Sequence, residues 1–134
     1  MTYKNLSPNL RVKNVKQSVE YYTQILGFDL IATVPETNED EWVFAIIKSG
    51  GIMFMFQEEK SLLEEYPQLS KHTQGGALTF YIHVSDVHLL YQKISNKVTI
   101  AKEIHDTFYG STDFAIEDCN GFILVFSQDK NEKL

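Results

Sequence analysis

The side chains that most often carry out chemistry are few in this chain and poorly grouped. Its four histidines, His72, His83, His88 and His105, fall on an expected linker, strand, helix start and loop. His83 and His88 stand five residues apart across a strand–helix junction, a spacing that does not aim two imidazoles at one point. They read as isolated polar or capping residues. Cys119 is the single cysteine, which excludes an internal disulfide and any cysteine-cluster metal site. Asp118 beside it would raise the thiol pKa, and no neighbouring basic residue favours the thiolate. No Ser/His/Asp spacing, phosphate-cradling glycine loop or GxGxxG is present. No catalytic residue is assigned.

Charge narrows the partners further. Twelve Lys and Arg against eighteen Asp and Glu give a net charge of −6, with no basic cluster to neutralise phosphates, so nucleic acid is excluded. A membrane surface would want the same basic face. The longest unbroken apolar run, Trp42 to Ile47, has six residues, far short of the roughly 20 that a membrane helix needs. The first residues offer no apolar stretch for a signal peptide, so a cytoplasmic protein is expected. At 134 residues, with 43% hydrophobic and 22% charged residues, the chain has the length and composition of one soluble globular domain.

An internal repeat supplies the elements that position these side chains. Leu10-Arg11-Val12-Lys13-Asn14-Val15 returns as Ile82-His83-Val84-Ser85-Asp86-Val87, an offset of 72 residues. Each segment is a short strand followed by a capping residue, Asn14 in the first and Asp86 (or Ser85) in the second, whose oxygen can accept amide hydrogens of a first helical turn. Val15, Val19, Tyr22 and Leu26 then form one helical stripe; Val87, Leu90, Tyr91 and Ile94 form another. Gly27 ends the first helix. Later, Gly51 leads Ile52-Met53-Phe54-Met55-Phe56 and Gly121 leads Phe122-Ile123-Leu124-Val125-Phe126, each expected as a strand buried on both faces. Phe28 to Val34, Glu41 to Lys48 and Phe114 to Glu117 are strand-like too.

The expectation is an α+β chain of two tandem βαβββ modules, about 5–58 and 77–128, joined by a linker at 59–76. That linker holds a short helix, Ser61 to Tyr66, closed by Pro67. One helix cannot cover both faces of a four-stranded sheet. The two modules are expected to form a continuous curved mixed sheet with a concave ligand cup.

These segments resemble the vicinal oxygen chelate superfamily, which holds glyoxalase I, bleomycin-resistance proteins, fosfomycin-resistance enzymes and extradiol dioxygenases. The resemblance rests on Asn9-Leu10-Arg11-Val12 through Ser18-Val19-Glu20-Tyr21-Tyr22 to Leu26-Gly27-Phe28, and on Phe108-Tyr109-Gly110 through Phe114 to Asp118-Cys119-Asn120-Gly121. Cys119 stands where the family usually has proline, a departure expected to relax that turn. Enzymes of the family hold a divalent metal through His, Glu or Gln. The resemblance places those positions at Ser7, Met55 (or Phe54), Thr79 and Val125, which offer hydroxyls, a thioether and an isopropyl group and no ligand set. No metal and no cofactor are expected.

Strand alternation then assigns the cup. Pro8, Leu10 and Val12, and Leu78, Phe80, Ile82 and Val84, should pack under the helices, so Asn9, Arg11, Thr79, Tyr81 and His83 should face the ligand. Met53 and Met55 would supply an adaptable apolar wall, and Trp42, Phe108 and Tyr109 stacking edges at the rim. Arg11 is the favoured polar contact, since a buried guanidinium needs a carboxylate or an anionic ligand. The function expected is metal-independent binding of a small molecule, of the bleomycin-resistance type, sequestering an antibiotic or metabolite as a homodimer. The alternative is a lyase, isomerase or dioxygenase of the same superfamily with an atypical active site, including one that uses His83 and Tyr81 as acid and base.

Overall fold

The computed structural model describes residues 1–131, and the chain divides into two compact units, Met1–Gln74 and a second that begins at Gly75. The first runs β1 (Asn9–Val12), α1 (Val15–Glu20), β2 (Asp29–Val34), β3 (Phe44–Ser49) and β4 (Ile52–Glu58). After it come α2 (Glu59–Glu65) and a 3₁₀ segment, Pro67–Lys71. The second unit runs β5 (Thr79–His83), α3 (Val87–Ile94), β6 (Thr99–Asp106), β7 (Ser111–Glu117) and β8 (Ile123–Asp129). The sheet orders are β1-β4-β3-β2 and β5-β8-β7-β6, each with its outer strand parallel to the last. The fold is α+β with two βαβββ modules, as the repeat requires. The strands are hydrogen-bonded as two four-stranded mixed sheets, where the sequence pattern suggested a continuous one. Among the described residues no helix is long and apolar enough to cross a membrane.

Both expected caps form. Asn14 accepts from the Gln17 amide at 2.9 Å and Asp86 from the Leu89 amide at 3.0 Å, satisfying amides that the first turn leaves unpaired. Beyond Glu20 the first helix widens into a π-turn at Tyr21–Ile25, with the Leu26 amide bonded to the Tyr21 carbonyl five residues back. The widened turn leaves Tyr22 fully buried, its ring edge-on to Phe28, Phe54 and Phe56 with centroids 5.0–5.8 Å apart. In the second unit Tyr91 from α3 meets Phe114 edge-on at 5.1 Å, and its hydroxyl bonds the Glu103 carboxylate.

The two apolar runs that read as buried on both faces alternate instead. Phe54, Phe56, Leu124 and Phe126 are buried under the helices, whereas Met53, Met55, Ile123 and Val125 are only partly covered. The run of apolar types hides a sheet with one helix-packed face and one free face. Phe122 is buried but precedes β8, in the turn after Gly121.

Gly75 makes one turn-specific demand. It is buried with φ +89°, and a Cβ there would stand 2.7 Å from the Gly121 carbonyl oxygen, while Gly76, at φ +58°, has open space. Gly76→Ala should therefore cost about 1 kcal/mol from its left-handed backbone alone. Gly75→Ala should cost clearly more, about 2–4 kcal/mol, because backbone must shift as well. Urea unfolding of the two variants checks the order, and equal losses would refute it.

Candidate functional site

Alternation on β5 turns Phe80 and Ile82 toward the α3 side and leaves Thr79, Tyr81 and His83 exposed on the other face. In register beside them lie Ile123, Val125 and Ser127 of β8, then Glu117, Ala115 and Asp113 of β7. Asp113 is the unexpected member. It is only 2% exposed, yet it carries a carboxylate on the face that no helix covers. Hydroxyls surround it. Ser111 Oγ donates to Oδ1 at 2.8 Å, and the phenols of Tyr81 and Tyr109 donate to Oδ2 at 3.1 and 3.2 Å. Ser127 Oγ lies 2.8 Å from the Tyr81 oxygen.

The Thr107–Ser111 turn braces this cluster. The Thr107 amide donates to the Ser111 carbonyl at 2.8 Å, the Ser111 amide donates to Thr107 Oγ1 at 3.0 Å, and the two side-chain hydroxyls are 2.9 Å apart. That turn sets Tyr109 over the carboxylate. Phe108 stands 99% exposed beside it, ring edge-on at 5.0 Å, and Tyr81 is edge-on to His83 at 5.3 Å.

Burial alone would push the Asp113 pKa up, but hydrogen bonds from Ser127, Ser111, Tyr81 and Tyr109 outweigh it and hold the group below the ordinary 3.8. Tyr109 is pushed up to about 12 by its hydrogen bond with Tyr81, by burial of its hydroxyl, and by the Asp113 charge. The aspartate stays ionised and the Tyr109 phenol stays protonated. Among the described residues no lysine, arginine or histidine forms an ion pair with Asp113; the four ion pairs described lie elsewhere. His105, opposite it across the β6–β7 ladder, has its Nδ1 2.8 Å from the Glu103 carbonyl oxygen.

The free face of the first sheet is chemically different. Met53 and Met55 lie there half-buried, with Phe44 and Ile46 in register beside Gln57 and Met55. Asn9 donates to the Gln57 side-chain oxygen at 2.8 Å, and Gln57 in turn donates to Ser61 at 3.0 Å. Arg11 donates to the carbonyls of Leu69 (2.9 Å) and His72 (2.6 Å), with Glu59 3.8 Å from its Nε. Its guanidinium thereby caps the 3₁₀ segment, where carbonyls lack helical partners and cations are favoured. Trp42 lies just before β3 in a groove of about 430 Å³ with Lys16, Glu39 and Asp40. Among the described residues its buried Nε1 has no hydrogen-bond partner. Phe108, Tyr109, Tyr81 and His83 thus come together, Asn9 and Arg11 are engaged within the first unit, and Trp42 stands in a separate groove.

The positions that hold metal in enzymes of the resembled family do not fit an ion here. Ser7 precedes β1, Thr79 opens β5, and Met55 and Val125 sit on the free faces of β4 and β8. A thioether, two hydroxyls and an isopropyl group do not coordinate a catalytic divalent cation. Among the described residues no three His, Cys, Asp or Glu side chains are grouped to hold one elsewhere.

The family model for the Glyoxalase/Bleomycin resistance protein/Dioxygenase superfamily matches residues 6–126. The chain belongs to that superfamily. Among solved structures it is similar to a protein of unknown function from Agrobacterium tumefaciens, at 21% identity and TM-score 0.76, with 96% of each chain covered. TioX from Micromonospora sp. ML1 matches at 17% identity and TM-score 0.74, with 95% of this chain and 99% of TioX covered. The bleomycin-binding protein of Streptomyces verticillus, solved with copper(II)-bleomycin, matches at 18% identity and TM-score 0.62, with 94% of this chain and 96% of that one covered. At such identities these likenesses establish the fold. No curated protein matches the sequence.

The superfamily's closing turn survives its substitution at Cys119 because Asp118 holds it. The Asp118 Oδ1 accepts from the Asn120 amide at 2.9 Å and the Phe122 amide at 2.8 Å, fixing the loop without proline. Asp113, Ser111 and Ser127 were missed as site residues. Their one sequence signal is polar residues at alternate positions in otherwise apolar strands, and it becomes specific only once strand register is known.

Two titrations follow. In an ultraviolet absorbance titration one tyrosine should ionise near pH 12, and Asp113→Asn should lower that value only in part, because the hydrogen bond with Tyr81 and the burial of the hydroxyl remain. Because the Asp113 pKa is lowered by folding, its stabilisation is present above about pH 4 and is lost as acid protonates it. Acid unfolding of Asp113→Asn should lose that component, and an unchanged acid limb would contradict the assignment.

Proposed function

We propose that this chain is a metal-independent small-molecule-binding protein that takes an antibiotic or metabolite on the free face of its second sheet. The observation that carries the reading is the pre-organised face itself. Exposed aromatic rings from Tyr81, Tyr109 and Phe108 stand on a braced network of hydroxyls around Asp113. A few fixed polar groups among aromatic walls are what small-molecule recognition requires. The absence of any imidazole or carboxylate at Ser7, Met55, Thr79 and Val125 supports metal independence. The bleomycin-binding protein among its structural neighbours supports a binding use of this fold. Asp113 and Tyr109 also speak against general acid–base catalysis by that pair, since one is held ionised and the other protonated far from neutrality.

A homodimer is part of this reading. The edge strand β2 leaves Leu30, Ile31 and Val34 exposed, an apolar edge that a second copy would cover. Sedimentation should give twice the chain mass, and Ile31→Lys should shift it toward monomer.

Purified without chelators, the protein should hold well below one divalent ion per chain by elemental analysis. A thermal-shift screen of antibiotics and aromatic metabolites should yield ligands whose stabilisation grows with concentration, reaching about 2.7 kcal/mol at a hundredfold excess over Kd. A tightly held stoichiometric transition metal would overturn the reading.

A further inference from the structure

We infer that the group recognised on this face is an organic cation, an ammonium, amidinium or guanidinium, seated against the phenol oxygens of Tyr81 and Tyr109 above the buried Asp113 carboxylate. This rests on the binding reading above and names its ligand chemistry.

The argument begins with proton directions. A phenol has one proton, and the acceptors within reach of Tyr81 and Tyr109 all lie inside the cluster: Asp113 Oδ2, the Ser127 hydroxyl and each other's oxygen. What these residues turn outward is therefore acceptor oxygen and electron-rich ring, with no donor to offer. An incoming carboxylate or phosphate would meet only acceptors. A cationic N–H group meets partners of the right polarity, and cations are attracted to aromatic faces as well.

Charge points the same way. Buried carboxylates in folded proteins are as a rule paired with a cation, and Asp113 is buried at 2% exposure with hydroxyl donors but no ion pair among the described residues. Hydroxyls satisfy its lone pairs without cancelling its charge. The negative field is passed to the surface through the two polarised phenols, which remain 45% and 59% exposed. Glu117 lies on the same face of β7, and on β6 Lys102 stands opposite Ala115 and His105 opposite Asp113, so the rim is mixed, while Asp113 is the buried charge that the phenols touch. His83, edge-on to Tyr81, adds a flat wall. With a chain charge of −6, approach of a cation is favoured at long range too.

Three probes of one shape test this: benzamidinium, benzamide and benzoate, titrated calorimetrically into the full chain, with tyrosine difference spectra reporting the site. Benzamidinium should bind with Kd about 1 mM, as a fragment of this size can, and perturb the tyrosine spectrum. It should bind about tenfold more tightly than benzamide, weaken with added salt, and leave benzoate without measurable binding. Asp113→Asn keeps the shape and removes the charge, so it should reduce the preference for benzamidinium over benzamide to about twofold. Should that variant fail to fold, Tyr109→Phe, at an exposed position, decides: it removes an outward oxygen and should cut benzamidinium affinity about fivefold.

Equal binding of the three probes, absent benzamidinium binding, a preference for benzoate, or a cation preference unchanged in either folded variant would each overturn the inference. A neutral or anionic ligand from the screen that perturbs these tyrosines would sink the cation assignment and leave the binding function standing. A stoichiometric bound metal would instead sink the metal-free reading.

Discussion

Four strands present two faces; in the second unit a single helix, α3, packs on one of them, and in the first α1 does so while α2 adds a partial cover beside β1 and β4. This constraint organises everything else in the molecule. The covered faces solve it in the ordinary way, with close rings packed to exclude water: Tyr22 edge-on to Phe28, Phe54 and Phe56 in one unit, and Tyr91 edge-on to Phe114, itself tilted against Phe126, in the other. The opposite faces must stay folded without that cover. Their composition is where two modules of one architecture become different objects.

On the first sheet the free face is methionine and half-buried apolar residues, and its polar members are tied down locally. Asn9 is held by Gln57, and Arg11 clamps the carbonyls of Leu69 and His72. On the second sheet the free face is built around an anion. Moving a carboxylate out of water is costly, and four hydroxyl-bearing residues offset the cost by hydrogen bonding to the charged form. The repeat has duplicated a scaffold while the chemistry on it has diverged.

Superfamily membership explains the scaffold and leaves the chemistry open, as expected where one fold serves many reactions. The positions that the resemblance matches to the family enzymes' metal ligands carry no imidazole or carboxylate. The polar investment lies on β5, β7 and β8 and in the turn before β7. Donors there converge on Asp113 and none on a shared ion site.

The sequence by itself determined the period-two strands, the two capped helices, the repeat and the family, because caps, turn glycines and apolar stripes act over a few residues. It also determined that Tyr81, His83 and Arg11 point away from the helix-packed face, since side chains alternate along a strand whatever lies beside it. Tertiary structure alone decided what those side chains meet. Arg11 finds carbonyls 58 and 61 residues away, and Tyr81 finds Asp113 and Ser127 at separations of 32 and 46. Such partners are chosen by strand register and turn geometry, which depend on long-range pairing and leave no local trace in the order of residues.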